Sequence, residues 1–353
     1  MPTYRPFGLF RFALAMMVLL QHGLLMLTAW GQAVFYRLEL GAIAVAVFFA
    51  LSGFIVAEAC HSFYAGRPGA FLANRALRVV PTYLVALGLT VLLDALLYRA
   101  GRFAPLGGTL HGPPWRARVV LAGVLEIVPG FAPMRVSGED FSFIPFAWSL
   151  RVEFAFYAAA ALLCWLIGRS GRLPWRPERA EPVLAGFCVG AAIFVAHRAP
   201  GLPTQLVNLP FFGFGVCVFL ASRQLGARRF WQLAVTAAAC LAAFPFCGER
   251  GHPDLAIQVP ILGALLGGLF FLARAGGVPP CLRRWDRGCG TLSYPLYIGH
   301  GIVLTALYNL WPGRGAVAYG LAVAGALILA VLLHAGVERP LQSVRDRVRG
   351  ARV

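Results

Sequence analysis

Apolar runs of about twenty residues, each bounded by charge or turn residues, recur along the whole chain, and nothing else in the sequence limits its fold so strongly. About 20 apolar residues in a helix cross a bilayer core of ~30 Å, and inside lipid each backbone N–H and C=O must find its partner within the protein. Ten such runs occur, at about 8–29, 40–60, 79–98, 143–168, 182–198, 205–222, 230–247, 255–273, 291–311 and 316–336. The expected fold is therefore all-α: a polytopic membrane protein of about ten transmembrane helices forming one integral membrane domain, residues 1–340, with a basic cytoplasmic tail at 341–353. Composition agrees, since 59% of the residues are hydrophobic and 13% are charged, against a charged fraction of roughly 25% in soluble domains.

The formal charge of +17 invites a nucleic-acid reading, yet all 31 basic residues are arginine and most sit in short loops between apolar runs. With the N-terminus inside, 21 arginines fall in cytoplasmic segments, nine in outer loops, and Arg151 within a span. That asymmetry follows the positive-inside rule and places both ends in the cytoplasm. The expected location is the bacterial inner (cytoplasmic) membrane, multi-pass, with lipids and not nucleic acid as surroundings. The apolar stretch 119–133 is interrupted by Glu126 and ended by Pro129, Gly130 and Pro133. It reads as an interfacial or re-entrant segment, because a crossing there would move the arginines at 169–179 outside. The first run follows Arg5 and Arg11 as a signal peptide would, but it lacks a small-x-small cleavage site and is expected to stay as a helix. The eight cysteines form no C-x-x-C pair, so neither a disulfide framework nor a zinc site is expected, and no metal is implied. No internal repeat of the kind that builds many transporters is visible.

Ionisable groups at bilayer depth are costly and mark function unless a structural partner explains them. Arg11 and His22 lie eleven residues apart, within ~20° of one helix face and about 16 Å along the axis. Glu153 reaches a depth of about 15 Å and His300 about 13 Å in their own spans, so three helices bring titratable groups to one level. Arg11, Arg75 and Arg78 fall at the cytoplasmic face, where an anion can meet them. Each has a plainer alternative: His22 as an interhelical hydrogen-bonding group, Glu153 as an arginine partner, Arg75 and Arg78 as topology anchors, and His334, Glu338 and Arg339 as a helix-end cap. Asp94 and Glu58 lie towards span ends and are expected to reach water. Arg151 is expected to snorkel to the outer interface.

The motifs carrying these residues run in order: Arg11, ten residues, His22; Val47-Phe48-Phe49-Ala50-Leu51-Ser52-Gly53-Phe54; Arg75-x-x-Arg78-x-x-Pro81; Trp148-Ser149-Leu150-Arg151-Val152-Glu153 with Phe156-Tyr157; Ser293-Tyr294-Pro295-Leu296-Tyr297 leading to His300; and Val337-Glu338-Arg339-Pro340. Together they resemble the acyltransferase 3 family of integral membrane O-acyltransferases over nearly the whole chain. Each block alone is weak, whereas six in order are specific. Ala44 and Ala46 stand where such proteins often carry glycine and a polar or acidic residue, and Arg151 replaces a position that is often small. The resemblance implies a stand-alone acyltransferase without an appended hydrolase-like domain. Its implied donor is acyl-CoA, acetyl-CoA being the expected one, and its acceptor a hydroxyl of a carbohydrate, glycolipid, polysaccharide precursor or other natural product.

Transfer from a thioester to a hydroxyl needs a base, a stabiliser of the oxyanion and a hold on the anionic donor. A neutral imidazole at His22 suits the first role, with Glu153 orienting it or stabilising its cation as a carboxylate does in triad-like sites. Arg11, Arg75 and Arg78 suit the CoA phosphates. Ser52, Trp148, Ser149, Tyr297 and His300 are possible site-lining residues. A covalent acyl-enzyme is disfavoured, since no G-x-S-x-G elbow and no lysine occur. Ser52 with Gly53 better suits close helix approach. Two rivals stay open: a transporter or lipid flippase for an envelope precursor, and a non-catalytic scaffold subunit.

Overall fold

A computed structural model describes residues 4–350 apart from 28, 65, 107, 132–134, 137–138, 170–206, 224, 247–253, 276–278 and 312. Its helices are α1 Phe7–Gly23, α2 Ala29–Leu38, α3 Leu40–Ser62, α4 Pro68–Arg99, α5 Ala117–Leu125, α6 Trp148–Arg169, α7 Leu209–Arg223, α8 Ala227–Ala243, α9 Leu255–Arg274, α10 Pro280–Leu310, α11 Ala316–Leu333 and α12 Arg339–Arg349. Two two-residue strands, Arg135–Val136 and Glu139–Asp140, pair antiparallel in the loop before α6. Among the described residues, five helical stretches are long and apolar enough to cross a membrane: Phe7–Met26, Leu40–Ser62, Pro68–Arg99, Leu255–Arg274 and Ala316–Arg349. The expected span at 182–198 and the arginines at 172, 176 and 179 lie outside the described residues.

Hydropathy marks the apolar part of a helix and not its ends. α4 begins at Pro68, well before the apolar run at 79, so Arg75 and Arg78 sit within the helix and not in a loop. α10 likewise starts at Pro280 and carries Arg283, Arg284, Asp286 and Arg287 in its first turns, arginine being a good helix former. α5, with nine residues, is about 14 Å long, less than half of a bilayer core. The chain divides into two compact units, one of residues 1–14, 36–73 and 156–290, the other of 15–35, 74–155 and 291–353.

In the first unit α3 packs along α7, and α7 along α8. A Cβ on Gly53 would overlap the Phe212 carbonyl and one on Gly215 the Ala50 carbonyl, so the two backbones touch where only glycine fits. Phe49 and Phe212, with ring centroids 4.9 Å apart, and Phe54 edge-on to Phe219 at 5.7 Å close the seam around them. Small residues and dispersion hold helices together where lipid supplies no hydrophobic drive. The start of α1 is capped from α10: the amides of Gly8 and Leu9 donate to the Asp286 carboxylate at 3.0 and 2.7 Å, and Tyr4 Oη donates to it at 2.6 Å. The carboxylate thus meets both the orphan N–H groups and the positive end of the helix dipole. Burial, then this carboxylate, push the Tyr4 phenol up to about 12. Glu58, expected to reach water, is partly exposed and also pairs with Arg5 at 2.7 Å.

In the second unit Tyr83, Phe141, Phe143, Ile144, Leu150 and Ile298 form a core with α5 laid against α4. Tyr83 Oη donates to the Gly123 carbonyl. On α11, Ala318, Ala322, Ala326 and Ala330 are buried at four-residue steps on one face, while Val317, Leu321, Ile328 and Leu332 are exposed and suit a lipid-facing side. After Leu333 the helix widens into one π-helical turn, His334–Glu338, spanned by a His334 to Glu338 contact of 3.1 Å, and then continues as α12. Most of the basic tail at 341–353 is therefore helical. It is docked on α4, where Asn74 Nδ2 donates to the Arg345 carbonyl at 2.8 Å.

Two polar residues sit deeper than their places in the apolar runs suggested. Asp94 is 3% exposed, and its buried Oδ1 has no hydrogen-bond partner among the described residues. Arg151 does not snorkel outward; it is 5% exposed and donates to the Phe131 carbonyl at 3.2 Å. The reason is a counter-charge, because Glu126 in the segment after α5 is also buried and feels the Arg151 charge while accepting from Ser142 Oγ at 2.8 Å. Burial raises the Glu126 carboxyl to about 7, against the lowering effects of Ser142 and Arg151.

Candidate active site

The second unit gathers His22 from the end of α1, the turn Pro145–Ala147 with the start of α6, and the middle of α10. His22 Nδ1 and His300 Nε2 are 2.8 Å apart, and the rings lie within 8° of parallel. Phe146 covers the pair, stacked 4.3 Å from the His300 ring and 5.9 Å from that of His22. His300 is fully buried, and its Nδ1 faces the Tyr297 carbonyl at 2.8 Å and the Leu296 carbonyl at 3.3 Å.

These contacts assign the protons when both rings are neutral. A carbonyl only accepts, so His300 Nδ1 carries hydrogen and His300 Nε2 is a bare lone pair. His22 must then donate from Nδ1, which leaves the lone pair of His22 at Nε2. A backbone carbonyl at the far end thus fixes which nitrogen of His22 is basic, as second-shell carbonyls fix histidine tautomers elsewhere.

Tyr297 takes part twice. Its carbonyl holds His300, while its hydroxyl lies 2.8 Å from Ser149 Oγ and 3.2 Å from the Phe146 carbonyl. Ser149 is buried and also reaches the Phe146 carbonyl, at 2.9 Å. The two hydroxyls share one carbonyl, a turn back from Ser149 on its own chain, which suits a strut between α6 and α10 better than a nucleophile. Trp148, half-buried, opens α6 beside it.

Glu153 is one turn beyond Ser149, and its charge acts on the Tyr294 and Tyr297 phenols. The Nδ1 of His22 is held by His300. Arg75 on α4 is 7% exposed, and Arg78 acts on Tyr294, whose Oη donates to the Val79 carbonyl at 2.8 Å. The structure thus brings His22, Ser149, Tyr297 and His300 together and sets Glu153 and Arg78 around Tyr294, six residues or about 9 Å along α10 from His300. Arg11 and Ser52 belong to the first unit.

Reading the sequence missed Phe146, an apolar residue with no polar signal, and Tyr294, which stood inside a quoted block without a role. It also missed Arg345, placed in the tail.

Helices of membrane-crossing length around a buried histidine pair define a multi-pass membrane protein. The family model described as an acyltransferase domain (Acyl_transf_3) matches residues 7–335, and the chain belongs to the acyltransferase 3 family. It is therefore an acyltransferase. It is also 31% identical over 322 residues to the exopolysaccharide production protein ExoZ of Rhizobium meliloti (strain 1021), a match covering 87% of this chain and 91% of that relative. No solved structure matches the chain.

Proposed function

We propose that this enzyme moves an acyl group, acetyl being the expected one, from acyl-CoA to a hydroxyl of an envelope or secreted polysaccharide. We place it in the bacterial inner membrane with ten spans and both ends in the cytoplasm. The acceptor class rests on the name of the relative, which is an exopolysaccharide production protein. The chemistry rests on the directed hydrogen-bond chain from the Tyr297 carbonyl through His300 to His22.

In this reading the acceptor hydroxyl gives its proton to His22 Nε2 as its oxygen attacks the thioester carbonyl. The C–S bond of the tetrahedral intermediate then breaks, the acyl group stays on the acceptor oxygen, and the CoA sulfur leaves with the proton held by His22. His300 accepts from His22 Nδ1 throughout and stabilises the transient imidazolium, the role a carboxylate fills in triad sites. Glu153 lends negative charge further along α10. Arg75 and Arg78 hold the donor phosphates by charge-assisted hydrogen bonds. The test is mass spectrometry of surface and secreted polysaccharides from cells carrying wild-type or His22→Ala protein at equal membrane levels. Loss of one acyl increment in the variant is expected, and an unchanged increment removes His22 from the mechanism.

A further inference from the structure

Arg345 lies on α12, beyond the last apolar helix, and it stands within electrostatic range of Arg75 and Arg78 on α4. Arg75 is 7% exposed, so the cluster gathers guanidinium groups where water screens them poorly, with Glu338 and Asp346 acting on Arg345 and Glu153 near Arg78 at Tyr294 as the acidic groups. Glu338 is itself engaged by His334. Like charges held close together where water screens them poorly gain from a further anion that joins them. The Nε of Arg345 is buried and has no hydrogen-bond partner among the described residues. α12 does not depend on that guanidinium for its place, because Asn74 Nδ2 holds the backbone carbonyl of Arg345.

We infer that Arg345 completes a phosphate-binding site with Arg75 and Arg78, closed by the C-terminal helix, and that it binds a phosphate of the acyl-CoA donor. The inference rests on the donor reading above. Planar guanidinium forks match phosphate oxygens two at a time, and three forks from two helices surround such a group. Arg347, two residues on, is exposed on another face of α12 and belongs to no such cluster.

An anionic lipid headgroup offers the same phosphate chemistry, so the experiment separates the two. The full chain is placed in nanodiscs of neutral phosphatidylcholine, and CoA binding is measured calorimetrically, with acyl transfer measured at varied donor concentration. R345Q is expected to weaken CoA about 10-fold and to raise KM for the donor by a similar factor, with kcat at saturating donor within about twofold of wild type. R345K falls between, and R347Q binds as wild type. Without CoA the thermal midpoint of R345Q should be no lower than that of wild type, since the Asn74 bond survives and one like charge is removed. Wild-type CoA affinity in R345Q overturns the inference, as does an equal loss in R347Q. A deficit that appears only when phosphatidylglycerol is added to the nanodiscs also overturns it, in favour of a lipid site. The double variant R75Q/R78Q separates the two levels. If it weakens CoA while R345Q does not, Arg345 alone is removed; if it too binds CoA normally, the donor reading falls with it.

Discussion

The seam between α3 and α7 and the meeting of α1, α6 and α10 solve one problem, the association of helices in lipid, with opposite chemistry. The first brings backbones into contact at Gly53 and Gly215 and fills the margins with phenylalanine. The second holds helices by hydrogen bonds between His22 and His300 and between Ser149 and Tyr297. A glycine seam is stable because nothing in it can move. A polar contact carries less packing, but it holds a lone pair in a chosen direction, and that is where a proton can be taken. The difference teaches where to look in such a chain: close packing reports structure, and a directed pair of neutral imidazoles reports chemistry.

Perturbing the two regions should give separable outcomes. The largest effect is expected at the base: His22→Ala should lower transfer by ~10³-fold or more, while membrane level stays near wild type and the thermal midpoint falls only by the loss of one interhelical hydrogen bond, about 1–3 kcal/mol. His300→Ala should lose somewhat less, because the basic nitrogen of His22 survives without its orientation. Initial rates with acetyl-CoA check both. At the glycine seam, Gly53→Leu should cost on the order of 3 kcal/mol of stability through overlap with α7. It should appear as a lower thermal midpoint in detergent, with activity per folded molecule retained. If Gly53→Leu instead lowers kcat in protein that stays folded, the division between packing and chemistry fails.

Glu126 gives a pH arm. Its carboxyl rises from the usual carboxylate range to about 7 in the fold, so the native state binds this proton more tightly than the unfolded chain does. The stability it contributes is full below about pH 4.5 and is lost as pH rises through about 7. Glu126→Gln should flatten the thermal midpoint between pH 5 and 8, and an unchanged slope would assign the dependence elsewhere. The smallest effect is expected for Ser149→Ala, about 1 kcal/mol for one lost hydrogen bond with kcat within a few-fold; abolished turnover there would make Ser149 the nucleophile after all.

Much of this was legible in the residues. The apolar runs located most of the described helices, and the order of motifs gave the family. His22, Ser149, Tyr297 and His300 were named as candidates before their geometry was known. Helix ends were not legible, because the arginines of 75–78 and 283–287 break hydropathy without breaking the backbone. Partnership was not legible either. Depth along a helix can be counted, but which side chain meets His22 depends on rotation and packing between distant segments, so the second imidazole on its Nδ1 could not be read from the sequence. Arg151 was misjudged because its counter-charge, Glu126, lies 25 residues earlier in a segment with no clear period.

The π-helical turn at His334–Glu338 has a bearing on how the C-terminal arm is aimed. A turn closed by i→i+5 bonds holds one residue more than its α-helical equivalent. Because the extra residue is absorbed within that one turn, deleting it would let a regular helix run on with its azimuth nearly kept, whereas deleting one residue from the α-helix just beyond it would rotate everything downstream by about 100°. Only the second deletion would swing Arg345 off α4, so the wide turn marks the one place where the arm tolerates a lost residue without being re-aimed.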